Sequence, residues 1–528
     1  MNWTQPDITW GPLVPILVVL LSAAAGILVE AFIRTHATRR LVQFVLSVGA
    51  LVVALGAAIV LWATHEGSGT VVLRLMLVVD KQSLAWQIML MVFGILAVLL
   101  FAARTRGGEE EFTPLGSTSP GTLDETRALR QGFQVTEVFP LALFAVGGMM
   151  LFTAVTDFVF LFVALELFSL PLYILVALAR RRRSLSHEAA LKYFLLGAFS
   201  SAIYIFGVAL LFGATTQTSF TAVQRAIEII AGHDPLIIAA AVLILVGLFF
   251  KIGAVPFHSW VPDVYQGAPS PVTAFMAAAT KAAAVAALLR IVYASFYPLE
   301  WELNWLFWTI AIVTMIVGTL VALVQTDIKR MLAYSSIAHA GFILVAFAGF
   351  SAEALSSLPF YLLAYGLATI GAFAIVTQVR ERTPDGAVGA EATRLGQWAG
   401  LGKRAPWLAA AMAIFLLSFA GIPLTAGFVG KFVVFRSAIT EGAWPLVLVA
   451  VLASAAAAFF YIRLIVLMFF TDVPEGQAES IEIEYSPLTR AVVVVTAALT
   501  LVLGVVPGPA LAVAEDAAVM LSSLTDGK

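Results

Sequence analysis

The stretch KIGAVPFHSWVPD, residues 251–263, lies within an apolar segment that extends from residue 235 to residue 266. A membrane-spanning helix needs about 20 apolar residues, so this segment is too long for one straight crossing. Glycine and proline interrupt helices, and the stretch contains both. A second long segment, residues 405–440, contains the similar stretch GIPLTAGFVGK, residues 421–431. We therefore predict two broken membrane helices, each with a lysine at its break.

The amino-acid composition is that of a membrane protein and excludes a soluble enzyme. Of the 528 residues, 61% are hydrophobic and 12% are charged, with a mean hydropathy of +0.98. Soluble domains are about 45–50% apolar and about 25% charged. Apolar runs such as residues 14–21 lack the alternation of a membrane β-barrel. Cysteine is absent from the sequence, which excludes cysteine-ligated iron–sulfur clusters, and the net charge of -2 does not indicate a nucleic-acid partner.

The pattern of apolar segments predicts an all-α polytopic membrane protein with about 14 transmembrane helices in a single transmembrane domain, residues 1–528. Residues 137–295 and 301–470 each contain five spans, and in each group the broken span is the fourth. An odd number of spans inverts the second copy, so we predict two inverted five-helix repeats. The predicted N-terminal helices occupy residues 11–103 and the C-terminal helix residues 487–509. The predicted spans are residues 11–33, 40–63, 82–103, 137–156, 157–179, 189–213, 235–266, 271–295, 301–325, 328–350, 356–380, 405–440, 444–470 and 487–509.

Basic residues between the spans predict the orientation. Most of them, including Arg180 to Arg183, fall on the side that the chain reaches after its first span, which predicts a cytoplasmic location for that side and both termini outside. Arg104 to Thr136 is expected to be an exposed cytoplasmic loop, and the amphipathic stretch Thr221 to Ile230 is expected to lie at the outer interface. The basic residues expected on the outer side or at its helix ends are Arg74, Lys81, Arg225, Arg290, Arg436 and Lys528.

Several charged residues fall inside predicted spans, where each costs about 2.5–3.5 kcal/mol if uncompensated. One is a carboxylate, Glu166, which could pair with a lysine only to hold helices together, and terminal lysines could extend to the interface. Lys251 and Lys431 each stand at the break of a long helix, and such breaks mark transport sites. The basic residues inside spans are Lys192, Lys251, Lys281, Lys431 and Arg463.

These residue types suit proton transfer. Burial lowers the pKa of a lysine and a nearby carboxylate raises it again, so moving the partner switches the lysine between holding and releasing a proton. Arginine cannot switch in this way, because it stays charged. His258 and His339 titrate near neutral pH and could bridge gaps in a relay, although each alone is also typical of a packing histidine.

The residues around these charges resemble a known family. Together they are similar to subunit N of bacterial NADH-quinone oxidoreductase, respiratory complex I, in its family of antiporter-like membrane subunits. The resemblance covers nearly the whole chain. Its motifs are KIGAVPFHSWVPDVYQGAPSPVTAFMAAATKAA from Lys251, ALELFSLPLYIL around Glu166, EAALKYFLLGAFSSAIYIFG around Lys192, DIKRMLAYSSIAHAGF from Asp327 and SFAGIPLTAGFVGKF ending at Phe432.

The resemblance implies a role for each charged residue. It implies that Glu166 tunes a lysine, that Lys251 is the channel lysine and Lys281 the relay lysine, and that Lys431 faces the exit path. Lys192 resembles the lysine of the family's sixth helix.

It further implies a bacterial plasma membrane location, sibling antiporter-like and other complex I subunits as partners, and proton translocation coupled to quinone reduction elsewhere. NADH, FMN, iron–sulfur clusters and quinone are implied for the whole complex, with no cofactor in this chain. Two alternatives stay open: a subunit of a multisubunit sodium/proton antiporter, which shares this fold, and a structural subunit with an inactive channel. A haem-bearing cytochrome is disfavoured, because nothing pairs the two histidines.

Overall fold

The computed structural model of the chain describes residues 8–64, 69–73, 76–105, 110–114, 122–130, 133–230, 234–382, 388–473 and 481–525. Arg74 and Lys528, named above, lie outside these residues. The helices are α1 Trp10–Phe32, α2 His36–Thr64, α3 Lys81–Phe101, α4 Leu123–Arg130, α5 Val138–Ala154, α6 Phe158–Val176, α7 Arg183–Thr215, α8 Phe220–Ile229, α9 Pro235–Ile252, α10 Trp260–Gly267, α11 Ser270–Phe275, α12 Lys281–Ala294, α13 Glu300–Leu323, α14 Ile328–Val345, α15 Ala354–Gln378, α16 Leu401–Arg404, α17 Pro406–Ala420, α18 Ala426–Thr440, α19 Trp444–Phe470, α20 Pro487–Val505 and α21 Gly508–Thr525.

Short elements join these helices. A π-helical turn, Met276–Thr280, connects α11 to α12, and 3₁₀ turns lie at Tyr297–Leu299 and Leu395–Trp398. One antiparallel pair of strands, β1 and β2, precedes α3, and a three-stranded sheet has the order β4-β3-β5. The strands are β1 Thr70–Val71, β2 Val78–Val79, β3 Val379–Arg382, β4 Val388–Glu391 and β5 Ile481–Ile483.

The all-α polytopic prediction is confirmed, and a helix or helix pair corresponds to each of the predicted spans. In the described part of the chain, 11 helices are long and apolar enough to cross a membrane, and α5 and α17 are shorter apolar helices. The C-terminal end differs from the prediction. Pro507 interrupts the helix there, so that α20 ends at Val505 and a further helix, α21, packs against α3 and α15.

Both long segments are broken where the sequence predicts. The first half-helix, α9, ends at Ile252 and is capped by Gly253 with a φ of +82°, and α10 begins at Trp260. The second, α17, ends at Ala420 and is capped by Gly421 with a φ of +80°, and α18 begins at Ala426. Glycine adopts this left-handed conformation without the Cβ clash of other residues, which explains why each helix ends at that position.

A matching feature in the two halves supports the predicted repeats. The side chains of Asp157 and Asp327 cap the first turns of α6 and α14. The backbone of Asp157 pairs in an antiparallel bridge with Ser219, which follows α7, and the backbone of Asp327 pairs in the same way with Arg394, which follows α15. The boundaries of the repeats, residues 137–295 and 301–470, stay a prediction.

The segment from Arg104 to Thr136 is partly packed, so the prediction of an exposed loop is wrong for several of its residues. Phe112 is 2% exposed and forms a backbone bridge with Ala179. The Glu125 carboxylate accepts a hydrogen bond from Arg180 Nε at 2.9 Å, with both side chains buried. Acidic residues of the segment thus bind the basic residues of helix ends instead of facing solvent. Residues 106–109, 115–121 and 131–132 lie outside the described part.

The predicted amphipathic stretch is the helix α8, which buries Phe220, Val223 and Ile227 on one face. Arg290, which the sequence predicts at an outer helix end, lies four residues before the end of α12 and is 2% exposed. Its guanidinium forms two hydrogen bonds, of 2.9 and 3.1 Å, with the carboxylate of Asp80, which caps α3. The ion pair explains how an arginine is accommodated in the interior. The centre of the domain is formed by α11, α12 and α15, which are almost completely buried.

Candidate functional site

The first cluster of functional side chains lies between α6, α7 and α9. Lys251 is in the last turn of α9, is 3% exposed, and donates a hydrogen bond from Nζ to Ser169 Oγ at 2.8 Å. One turn before Ser169 on α6, Glu166 accepts a hydrogen bond from Ser201 Oγ at 2.5 Å. Among the described residues, no ion pair within 4.0 Å joins Glu166 to Lys251. The carboxylate and the ammonium group therefore have serine partners on different helices, Ser201 on α7 and Ser169 on α6.

The second cluster surrounds Lys281, the residue that follows the π-helical turn. Its Nζ donates hydrogen bonds to the backbone oxygen and the Oγ of Ser336, at 2.5 and 2.6 Å. The ammonium group also lies 4.9 Å from the centroid of the Tyr365 ring, within the range of a cation–π interaction. π-Helical turns occur frequently at functional sites, and this one precedes a lysine that is 3% exposed.

His339 belongs to the same cluster. Its Nδ1 lies 2.6 Å from Tyr361 Oη, and its Nε2 lies 3.4 Å from Tyr461 Oη. Tyr461 Oη in turn forms a short hydrogen bond with Ser335 Oγ. The ring of His339 lies 4.9 Å from that of Tyr365, so the histidine and Lys281 contact the same tyrosine. His339 and Lys281 thus share one aromatic neighbour, and a relay role for either residue stays a prediction.

Lys431 lies at the second helix break and forms the third cluster. Its Nζ donates hydrogen bonds to the backbone oxygens of Phe419 and Ala420, at 2.8 and 3.2 Å, and to Ser454 Oγ at 2.7 Å. The two carbonyls are at the end of α17, where the helix leaves them without backbone partners and where the helix dipole is negative. A lysine of α18 thus caps α17 across the break.

Aromatic side chains fill the space between the first two clusters. The ammonium group of Lys251 lies 5.9 Å from the Phe250 ring, Phe250 stacks on Trp260 at 5.5 Å, and Trp260 contacts Tyr265 at 6.3 Å. Tyr265 Oη lies 3.5 Å from Ser336 Oγ, the partner of Lys281. On this side Lys251 therefore contacts the face of an aromatic ring, whereas Lys281 contacts the Ser336 hydroxyl group.

Two of the predicted site residues lie apart from this row. Lys192 is half-exposed and forms ion pairs with Glu188 at 2.7 Å and with Asp263 at 2.8 Å. Asp263 also binds Arg330 at 2.9 Å, so Lys192 belongs to an ionic cluster between α7, α10 and α14. His258 is half-buried in the segment between α9 and α10, and its Nδ1 has no hydrogen-bond partner among the described residues.

Sequence reasoning missed the serines and tyrosines that solvate the lysines. The sequence does contain a signal for some of these positions. Glu166 and Ser336 each follow the aspartate that caps their helix by the same number of residues, and the same is true of Ser169 and His339. In both halves these positions contact a buried lysine or its cluster. A superposition of the two halves on their capping aspartates would have identified these positions.

The three buried ammonium groups are surrounded by neutral oxygens and ring faces. Each would carry an uncompensated charge in the membrane interior, which is costly and is typical of ion and proton pathways. Within the described ranges, no group of three or more histidine, aspartate or glutamate side chains could hold a metal ion. The broken helices and buried lysines define a membrane protein of the antiporter-like class.

The chain belongs to the NADH:quinone oxidoreductase/Mrp antiporter transmembrane family, whose model matches residues 155–457. It is 53% identical over 522 residues to NADH-quinone oxidoreductase subunit N of Beutenbergia cavernae, covering 97% of this chain and 98% of that relative. Among solved structures it is similar to a chain of respiratory complex I from Thermus thermophilus with bound aureothin, with 32% identity, a TM-score of 0.73, and coverage of 94% of this chain and 98% of that one. A chain of the Mrp complex from Dietzia shares the fold, with 22% identity, a TM-score of 0.77, and coverage of 97% and 98%.

Proposed function

We propose that this chain is a proton-translocating membrane subunit of NADH-quinone oxidoreductase, and that protons move through its row of buried lysines. The observation that carries the proposal is the row itself, in which Lys251, Lys281 and Lys431 are each at most 5% exposed and hydrogen-bonded to neutral oxygens. The relative from Beutenbergia, named as subunit N, supports the assignment to this enzyme because its similarity extends over nearly the full length of both chains.

The chemistry follows from the partners of the lysines. A carboxylate brought within ion-pair distance of a buried lysine stabilises its protonated form, and withdrawal of the carboxylate favours release of the proton. Glu166 accepts a hydrogen bond from Ser201 and lies one turn before Ser169, the serine that binds Lys251. A rotamer change would exchange the serine partner of Lys251 for the Glu166 carboxylate. Released protons then pass to Lys281 and His339, whose cluster contains hydroxyl groups that both donate and accept hydrogen bonds.

The redox reaction is assigned to other subunits of the complex. The absence of cysteine from the sequence supports the assignment of cysteine-ligated iron–sulfur clusters to other subunits, where NADH, FMN and quinone are also expected to bind. The partners are a sibling antiporter-like subunit and other membrane subunits, in a bacterial plasma membrane. The distribution of basic residues supports an orientation with both termini outside. Lys192 and His258 are proposed as relay residues near the edges of the pathway.

The experiment measures proton uptake by inverted membrane vesicles that contain the assembled complex. Lys251→Met and Glu166→Gln are expected to lower proton uptake per NADH oxidised, because each removes one member of the switch. Lys403→Met is the matched control, since Lys403 is a lysine of the short helix α16 with a side chain that is 70% exposed. NADH oxidation in the presence of an uncoupler reports assembly. Full proton uptake in both the Lys251 and the Glu166 variants would contradict the proposal.

The second candidate function is that of a sodium/proton antiporter subunit, favoured by the shared fold with the Mrp complex chain. It predicts sodium-dependent proton flux in vesicles that are not supplied with NADH. The two functions also differ in the proteins that copurify with this chain. Quinone-reducing NADH dehydrogenase subunits in the purified complex would support the first function, and antiporter subunits alone would support the second.

A further inference from the structure

One charged side chain inside a predicted span has no part in the proposed proton pathway. Arg463 lies in α19, an apolar helix long enough to cross a membrane. The residue is exposed, although arginine stays charged in proteins and a charge in the membrane interior is costly. Among the described residues, no carboxylate lies within ion-pair distance of its guanidinium group. This part of the chain therefore leaves a positive charge on an exposed face of α19 without an anionic neighbour.

The depth of Arg463 corresponds to the border between lipid headgroups and acyl chains. At 1.5 Å per residue, the 27 residues of α19 span about 40 Å, close to the thickness of a bilayer with its headgroups. Arg463 precedes the last residue, Phe470, by about 10 Å along the helix. Arginine side chains extend from such positions toward the headgroups while their apolar stems pack on the protein. The distribution of Lys and Arg predicts that this end of α19 lies at the cytoplasmic face.

A neighbouring helix holds the guanidinium group in place. Arg463 Nη1 donates a hydrogen bond of 3.2 Å to the backbone oxygen of Leu323, the last residue of α13. Carbonyl groups in the last turn of a helix have no backbone partner within that helix. Arginine has five N–H donors, and Arg463 forms this one hydrogen bond with the described residues. Four donors thus remain for a ligand that carries several oxygen atoms.

Arg463 also lines a cavity that is otherwise almost entirely apolar. The apolar residues at positions 459, 462 and 466 are 63, 46 and 44% exposed, and their spacing places them with Arg463 on one face of α19. The face therefore combines a groove for an apolar chain with one positive charge and, at the end of the helix, a hydroxyl group. The cavity has a volume of about 360 Å³ and is lined by Phe459, Ile462, Arg463, Val466, Leu467 and Thr471.

An anionic phospholipid has the chemistry that this site requires. Its phosphate group offers the oxygen atoms for paired hydrogen bonds that the planar guanidinium group forms best. Its acyl chain is the apolar chain that a groove within the membrane would hold. A soluble phosphate ion would supply the charge but no acyl chain. Basic pockets between transmembrane helices on the cytoplasmic side bind lipid headgroups, and the lipids of that leaflet are negatively charged.

We propose that Arg463 and the groove of α19 form a binding site for one anionic phospholipid of the cytoplasmic leaflet. The phosphate group accepts hydrogen bonds from Arg463, which also binds the end of α13. One acyl chain extends past Ile462 and Phe459 toward the membrane centre. The bound lipid neutralises Arg463 and fills the groove. The inference goes beyond the proposed function and does not depend on it, because the lipid would bind whether the chain translocates protons in one kind of complex or in the other.

The test measures labelling of this chain by phosphatidylglycerol that carries a photoactivatable acyl chain. The purified complex is placed in nanodiscs of neutral phosphatidylcholine with increasing amounts of the probe, and the labelled peptides are identified by mass spectrometry. Labelling of α19 between residues 459 and 467 is expected. Arg463→Gln is expected to need about five times more probe for half-maximal labelling, which is the contribution of one basic residue to the binding of anionic lipid.

Lys403→Gln is the matched control. Lys403 is expected on the same side of the membrane, its side chain is 70% exposed, and it is paired with Asp472 at 2.6 Å. Because its charge is already compensated and it does not line the groove, this variant is expected to label like the native chain. An equal loss of labelling in both variants would indicate a general effect of surface charge and would overturn the proposal.

A second variant keeps the proposal testable if Arg463→Gln does not assemble. Ile462→Trp fills the groove at an exposed position without removing the charge, and it is expected to abolish the labelling of α19. Undiminished labelling in Arg463→Gln, or equal labelling by a diacylglycerol probe that lacks the phosphate group, would overturn the proposal. Competition by inorganic phosphate would indicate a soluble ion instead of a lipid. No labelling of α19 in the native complex would show that another subunit covers this face, and it would also refute the site.

Discussion

The buried ion pair between Arg290 and Asp80 allows a quantitative prediction. Arg290→Met keeps most of the volume of the side chain but leaves the Asp80 carboxylate, which is completely buried, without its partner. Removing one member of a buried pair destabilises a protein by about 3–5 kcal/mol, because an uncompensated charge remains. The two hydrogen bonds of 2.9 and 3.1 Å place this pair in that class.

The double variant Arg290→Met with Asp80→Asn separates the charge from the packing. Asparagine caps a helix about as well as aspartate, so the cap on Ser83 N at the start of α3 is expected to persist. Because no charge remains, the double variant is expected to recover most of the lost stability, as buried pairs replaced by neutral residues often do. The double variant should therefore regain the larger part of the about 3–5 kcal/mol that Arg290→Met loses.

The assay is the temperature at which the subunit dissociates from the purified complex or unfolds in detergent. The expected order, from least to most stable, is Arg290→Met, then the double variant, then the native protein. Lys81→Met is the control, since the pair of Lys81 with Asp516 is partly exposed and such pairs contribute at most about 1 kcal/mol. A double variant no more stable than Arg290→Met alone would refute the reasoning.

Two further predictions concern the helix break and a charged strand. Gly427→Ala is expected to impair assembly of the complex, seen as reduced recovery of the subunit, because a Cβ atom at this position would collide with the Ser418 carbonyl; normal recovery would contradict this packing argument. Burial alone would raise the pKa of the Glu391 carboxyl, but the charges of Lys329 and Arg380 hold this pKa below its usual range. The contribution of Glu391 to stability is therefore present above the ordinary glutamate pKa of about 4.3. It is lost as the pH falls through the lower pKa of the folded state. Glu391→Gln should therefore lower the unfolding temperature at neutral pH and have a progressively smaller effect as the pH falls below about 4, and an effect that does not change with pH would exclude this charge contribution.

The sequence was sufficient for the features that depend on local composition. Apolar length predicts the spans, and glycine and proline beside Lys251 and Lys431 predict the two breaks, because both signals act within a few residues. The partners of the lysines could not be predicted in this way. Ser336 and Lys281 are distant in the chain, and their contact arises because the long side chain of Lys281 on α12 extends to Ser336 on α14.

The same limit explains the positions that differ from expectation. The burial of Arg290 could not be predicted, because its partner, Asp80, precedes it by more than two hundred residues. Lys192 appeared to be buried because its helix is apolar, whereas Asp263 of α10 draws it into an ionic cluster. In each case a long-range ion pair, which has no local signature, decides where the charge lies.

The cap that Lys431 forms on α17 connects protonation to the shape of the broken helix. A protonated lysine has three N–H donors, and three acceptors face it, the carbonyls of Phe419 and Ala420 and the hydroxyl group of Ser454. A neutral amine has two donors and one lone pair, so loss of the proton requires the contact with the Ser454 hydroxyl group to reverse its direction or one of the three contacts to break. Each passage of a proton would then change the contacts that join α17 to α18 and re-form them afterwards. A change of charge on Lys431 would thereby alter the geometry of the broken helix.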